Sequence, residues 1–290
     1  MRIRYVNPLG RELILDSWPK NPAQYILQNW EGFGEVPVSL QTRKAPYQDG
    51  VTVMEQLLEP RHLSLEIVIL GDNKQEVYNK RRFLQSLFNP KLGAGRLEWY
   101  QPSGKVYSIE VIPDGTPAFP GGEARTSRSQ VTTVDLMAPN PVWENVVTMT
   151  LKLSSLVSLF AFPLRLPTQM GVKGDRRAVC NEGDVATPVR IVFHGPAVNP
   201  TVTNETTGQY IRVKQELLHG ERLVINTAFG AKSVVLQNSN GEQTNAFRYI
   251  DLGSELWQLV PGQNVLSYSA DVGADEAVVE VYYREWYVGV

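Results

Sequence analysis

The chain has 290 residues, enough for two domains with a core each, and 42% hydrophobic against 20% charged content excludes a disordered or fibrous protein. A net charge of −2 gives no overall attraction to nucleic acid or an anionic membrane, so any DNA contact has to be local. The one cysteine, Cys180, excludes an intrachain disulfide framework and a cysteine-based zinc cluster, and is expected to be a small, half-buried residue.

In chain order, the N-terminal MRIRYVNPLG lacks the apolar core of a signal peptide. Asn7-Pro8-Leu9-Gly10 reads as a hairpin turn, with proline pre-setting φ and glycine supplying the reversal. Its flanks, Arg2 to Tyr5 and Glu12 to Leu15, are expected to pair. The alternation of Leu63, Leu65, Ile67 and Ile69 predicts a half-buried strand over His62 to Leu70. One helix is expected, Asp72 to Asn89, with Asp72 as N-cap, Gln75 completing a capping box, and Val77, Leu84, Leu87 and Phe88 as its apolar stripe. Gly93-Ala94-Gly95 lacks a third glycine and follows a helix, so it reads as the helix exit rather than a dinucleotide loop. Gln101-Pro102-Ser103-Gly104 turns a second hairpin, Arg96 to Tyr100 against Lys105 to Ile112.

Pro113 to Gln130, rich in proline and glycine, predicts a long loop that binds something or moves. Strand pattern returns over Val131 to Met137, weakens over Asn145 to Leu153, and gives way to an extended Phe162 to Pro167 and a polar, loop-like Gly171 to Gly183. The most apolar run, Leu156 to Phe162, is far shorter than the roughly 20 residues of a membrane span. A soluble product with no membrane partner is therefore expected. Short strands follow at near-regular spacing: Val189–His194, Val198–Asn204, Tyr210–Lys214, Glu221–Asn226, Ser233–Asn238, Phe247–Ile250, Val265–Ser269 and Val278–Tyr283. Turn residues such as Asn240-Gly241 and Pro261-Gly262 separate them, which describes an antiparallel sandwich. The expected fold is mainly β. Its divisions are a β domain over 1–145 containing the helix, a connecting segment over 146–187 and a sandwich over 188–290.

Chemistry is sparse. There is no phosphate loop, no nucleophile elbow and no zinc-binding H-E-x-x-H. His62, His194 and His219 fall in no ligand spacing, and Cys180 has no base near it in sequence. Glu182 and Asp184 could act as an acid–base or calcium pair, yet Gly183 between them and Thr187-Pro188 beyond read more simply as a turn leading into a strand. No catalytic, cofactor-binding or metal-ligating residue is assigned. No cofactor and no enzymatic activity are expected.

The order of several short motifs resembles the distal tail protein family of phages with long non-contractile tails. The motifs are Asp49-Gly50-Val51, Glu59-Pro60-Arg61-His62-Leu63, Arg81-Arg82-Phe83-Leu84, Gly95-Arg96-Leu97-Glu98-Trp99-Tyr100 and Pro139-Asn140-Pro141-Val142-Trp143. In the second half they are Asn181-Glu182-Gly183-Asp184, Asn204-Glu205-Thr206-Thr207-Gly208, Leu259-Val260-Pro261-Gly262 and the terminal Trp286-Tyr287-Val288-Gly289-Val290. The resemblance implies an N-terminal barrel or sandwich related to tail-tube folds and a C-terminal galectin-like sandwich. It further implies a structural virion protein, a homohexameric ring that joins the tail tube to tail-tip or baseplate proteins while DNA passes through without specific binding. Such a protein is made in the host cytoplasm and ends in the virion tail. The arm from Arg43 to Pro60 and the loop from Pro113 to Gln130 are the expected contacts with other subunits or the tube. The alternative is a carbohydrate-binding module for host-wall polymers, reading them through exposed Trp257, Trp286 or Tyr287.

Overall fold

The alternating segments of the first half close into a barrel in the computed structural model, which describes residues 1–19, 24–154, 156–158, 171–173, 176–273 and 277–290. The chain divides into two compact units, Met1–Val146 with Tyr287–Val290, and Val147–Trp286. In the first, Arg2–Val6 pairs with Glu12–Asp16 and with Gly95–Tyr100, which in turn pairs with Val106–Pro113. Gly10 and Gly104 take φ of +76° and +87° in the two expected turns. On the far side Tyr25–Glu31 pairs with Arg61–Leu70, and Arg61–Leu70 with Ser129–Ala138. A parallel contact at Asp16 and Ile26 joins the two halves, and the pairs Ile112–Met137 and Pro113–Leu136 close the circuit. Closure removes the sheet edges along the circuit.

Alternation fills the barrel. Leu63, Leu65, Ile67 and Ile69 are all buried, and meet Ile3, Leu15, Leu97, Ile109 and Leu136 in one core. The helix runs Lys74–Leu87, with Leu84, Leu87 and the following Phe88 in this core and Val77 also buried. Its cap sits one residue later than expected: Asn73 accepts from the Glu76 amide at 3.0 Å, and Glu76 in turn accepts from the amide of Asp72 at 2.8 Å. The expected Asp72–Gln75 box is displaced because Asn73 and Glu76 offer the same spacing. Lys80, in the middle of the helix, is nearly buried, donating to the Leu70 carbonyl at 2.6 Å and pairing with Glu76.

The second unit is a sandwich. One sheet runs Met149–Ser154, Val278–Tyr283, Thr187–His194, Arg222–Asn226, Ser233–Gln237 and Gln243–Asn245. The other runs Arg176–Asn181, Gly262–Ser269, Thr201–Asn204 and Gln209–Arg212. Val189, Ile191 and Phe193 from the first meet Val202, Ile211, Leu266 and Tyr268 from the second in a separate core.

Several segments differ from the sequence reading. Arg176–Asn181, expected within a polar loop, is a strand pairing with Gly262–Ser269 across its whole length, and Gly171–Lys173 pairs with Leu156–Ser158. Met149–Ser154, where alternation is weak, pairs fully with Val278–Tyr283. The stretch 146–187, read as a connection, thus supplies strands to the second unit. The partner strands of Met149–Ser154 and Arg176–Asn181 lie far away in sequence, Met149 opposite Tyr283 and Arg176 opposite Ser267, so no local pattern announces those two pairings. Phe247–Tyr249 is a 3₁₀ turn rather than a strand. The expected Val198–Asn204 strand is interrupted by Asn199 (φ +52°) and Pro200. The extended reading of Phe162 to Pro167, and the end of the apolar run that begins at Leu156, lie outside the described residues.

Candidate assembly surface

Where the sequence predicts an arm, the structure has a hairpin. Val38–Arg43 and Thr52–Leu58 form a two-stranded sheet of their own, with a register shift after Gln41. The first of these strands precedes the expected arm. Its signal was Val38-Ser39-Leu40, an alternation too short to be read before its partner was known. At about 3.4 Å per residue the six-residue strand reaches roughly 20 Å. Register puts Val38, Leu40 and Leu58 on one face and Leu57 on the other, with Met54 unpaired at the bulge. All five are exposed, Met54 at 64% and Leu40 at 55%. The tip is a folded turn, in which the Ala45 amide donates to the Gln48 side chain at 3.0 Å and Gln48 donates to the Thr52 hydroxyl at 3.0 Å. Tyr47, at φ +62°, stands fully in solvent there.

The hairpin root is fixed. Arg61 is fully buried, donating to the carbonyls of Pro141, Gly32, Phe33 and Glu35 at 2.7–3.0 Å and to that of Val288. Burial pushes its pKa down, and the charge of Glu35 opposes that shift. Phe33 stacks on the fully buried Trp143 with ring centroids 5.3 Å apart, and the Trp143 indole donates to the Phe33 carbonyl at 3.2 Å. Arg61 and Trp143, two residues of the motifs quoted above, thus hold the turn from which the hairpin departs.

The second expected contact, Pro113 to Gln130, is a loop whose last two residues already belong to the strand Ser129–Ala138, and it is pinned along its length. The Thr132 hydroxyl and the Thr133 amide donate to the Ala118 carbonyl, and the Gln130 side chain donates to the carbonyls of Pro120 and Ala124. It lies back along the strand Ser129–Ala138 and carries Phe119 and Arg125.

The candidates for chemistry are scattered. Glu182 and Asp184 flank a turn in which Gly183 approaches the backbone of Trp286 so closely that a Cβ there would lie 2.4 Å from the Trp286 carbonyl oxygen. The Asp184 amide donates to that carbonyl at 2.8 Å. His62 is exposed on the barrel, and His194 lies in the sandwich, 3.3 Å from Glu280. Among the described residues no three His, Cys, Asp or Glu side chains are grouped to hold a metal ion. Cys180 is exposed, not half-buried, because it falls on the outward side of the unforeseen strand Arg176–Asn181. Trp257, expected on the surface, is 2% exposed within the sandwich core. Tyr287 is half-buried, with its ring edge-on to Tyr107 at 5.1 Å.

The barrel unit thus carries a hairpin with bare apolar side chains on both faces, and no described residues are grouped for metal chemistry. The family model for the phage tail protein RIFT-related domain matches residues 21–137, and that for the siphovirus-type tail component C-terminal domain matches residues 182–287. The chain belongs to the siphovirus-type tail components.

Solved structures repeat the fold across the whole chain. The SPP1 Dit (gp 19.1) protein, described as a paradigm of hub adsorption apparatus in phages infecting Gram-positive bacteria, aligns over 98% of both chains with a TM-score of 0.69 at 13% identity. A chain of the phage P2 baseplate, in its activated conformation with Ca, aligns over 100% of this chain and 99% of its own with a TM-score of 0.53 at 10% identity. A search of curated protein sequences gave no match. Within this family of structural tail components, the first matched domain is the barrel with its hairpin and the second is the sandwich.

Proposed function

We propose that the protein is a distal tail hub: copies close a hexameric ring through the barrel unit, surround the DNA channel, and join the tail tube to the tail tip or baseplate. The observation that carries this reading is the hairpin Val38–Leu58. Isolated two-stranded hairpins are at best marginally stable in water, and this one leaves apolar side chains bare on both faces. A neighbouring copy that covers it buries that surface and satisfies its open edges. Repeated head-to-tail, such a contact closes a ring. In this reading the protein is made in the host cytoplasm, works in the virion without enzymatic activity, and passes DNA without gripping it.

The test is the mass and shape of the purified protein. Native mass measurement and electron microscopy are expected to give a six-fold ring with a central hole, alone or beside tube protein. A Leu40→Ser, Met54→Ser, Leu57→Ser variant is expected to keep its circular dichroism and melting behaviour but to remain monomeric. A wild-type protein that stays monomeric at micromolar concentration, with no ring even beside tube protein, overturns the proposal.

A further inference from the structure

The three adjoining barrel strands Tyr25–Glu31, Arg61–Leu70 and Ser129–Ala138 carry opposite charge at their two ends. At the end marked by Leu70 and Ser129, the helix and the pinned loop bring basic and aromatic side chains together. Arg81 lies over the ring of Phe119 at 4.4 Å and over that of Tyr78 at 5.2 Å. Arg125 lies over the same Tyr78 ring at 5.3 Å and donates to its hydroxyl. Lys74, Arg82 and Arg128 extend the patch, all exposed. Among the described residues none of these five cations is within ion-pair distance of a carboxylate. The hydrogen bond from Arg125 and its charge, with those of Lys74 and Arg81, hold the Tyr78 phenol below its ordinary pKa.

The platform is built, not incidental. Stacking on Phe119 and Tyr78 fixes both guanidinium planes, so little side-chain entropy remains to be lost on docking. Phe119 and Arg125 in turn sit on the loop held by Gln130 and Thr132. A fixed, unneutralised cation pair of this kind is suited to carboxylates on another molecule.

The opposite end supplies them. A cleft of about 400 Å³ is lined by Glu31, Glu35, Asp114 and Asp135, beside His62 and Ser64. All four acids are exposed, and among the described residues none makes an ion pair. Register fixes the separation: Ser64 pairs with both Glu31 and Asp135, while Leu70 pairs with Ser129. Six residues of strand put the ends roughly 20 Å apart. The loop from Asp114 to Arg128 runs back along the same strand, leaving at the acidic Asp114 and returning, past Glu123, at the basic Arg125 and Arg128.

We propose that the Arg81–Arg125 platform of one copy docks on the Glu31/Glu35/Asp114/Asp135 cleft of the next, as a charge-complementary contact at the hairpin root, distinct from the hairpin's apolar faces. The inference rests on the ring reading and adds its interface chemistry. Two surfaces at opposite ends of one unit cannot meet each other, and a head-to-tail meeting on successive copies is a heterologous contact of the kind that a ring requires. Complementary patches also steer the encounter and fix its register.

Charge reversal in two variants tests it. Variant one is Arg81→Glu, Arg125→Glu and variant two is Glu31→Lys, Asp114→Lys. Each alone is expected to associate roughly tenfold or more weakly than wild type at about 50 mM salt. Mixed in equal amounts they should recover rings, because alternating copies restore attraction at every contact. Wild-type association should weaken as salt rises to about 500 mM. The milder Arg81→Gln, Arg125→Gln variant, checked for an unchanged melting curve, covers misfolding of the reversals and should also lose association. Rings that form equally well in the folded Gln variant and at both salt levels overturn this contact while leaving the ring reading intact. A mixture that fails to recover although each variant is folded overturns the head-to-tail pairing. Absence of any wild-type ring overturns both.

Discussion

Arg61 concentrates much of the first unit's order in one side chain. Its guanidinium is buried against five carbonyls contributed by the stretch 32–35, Pro141 and Val288. Removing it strands buried acceptors, so Arg61→Met should lower the unfolding free energy by about 3 kcal/mol, read by urea denaturation. Arg61→Lys should recover only part of this, because an ammonium has fewer donors and no planar fork. Gly183 is demanding for a different reason. A Cβ there meets the Trp286 carbonyl oxygen and amide nitrogen at 2.4 and 2.8 Å, and backbone cannot swing aside. Gly183→Ala is therefore expected to cost about 1–3 kcal/mol, while the neighbouring Glu182→Gln stays within about 0.5 kcal/mol in the same denaturation assay. Glu280 accepts from Tyr282 at 2.6 Å and faces Lys152 at 2.9 Å and His194 at 3.3 Å, which holds its carboxyl at about 2 against an ordinary 4.5. A folded-state value below the unfolded one means that the stabilisation is complete above pH 4.5 and fades as pH falls towards 2. The melting-temperature advantage of wild type over Glu280→Gln should shrink across that window.

At the scale of elements, the helix depends on a cap that the sequence places ambiguously. Asp72 and Asn73 each have a polar partner three residues on, and the structure uses Asn73 with Glu76. Asn73→Ala should cost about 1 kcal/mol and Asp72→Ala clearly less, compared by thermal melts. The helix itself and the two glycine-turned hairpins were legible because their signals are local: period, cap and turn residues within a few positions. The hairpin Val38–Leu58 was half legible. Its second strand lies within the expected arm, whereas its first strand shows only as an apolar pair in a polar stretch. Arg176–Asn181 was not legible at all, and with it the exposure of Cys180. Its strand character comes from a full ladder with Gly262–Ser269, some eighty residues away. Trp257 was misjudged for the same reason, since a tryptophan in a turn-rich stretch gives no sign of which surface it faces.

At the scale of the molecule, two cores share one chain, and damage should stay with the core that receives it. Phe193→Asp puts a charge at a site 1% exposed, next to Tyr268, and is expected to unfold the sandwich. Limited proteolysis followed by mass spectrometry should then show cuts within 147–286 appearing first. The candidate assembly surface follows from the same division of labour. Closure of the strand circuit takes up most of the barrel's sheet edges, and the proposed contacts with a second copy accordingly use the hairpin and the charged strand ends. The sequence by itself determined the mainly β character, the helix after Asp72, the principal turns and the turn at Asn181 to Asp184, because each rests on residues a few positions apart, and the family resemblance through the order of short motifs. Only the tertiary structure decided the barrel's closure, the carbonyl cage around Arg61, the burial of Trp257 and the opposition of cations and carboxylates across three strands. Those are pairings between distant segments, and their register is set by packing rather than by any local pattern.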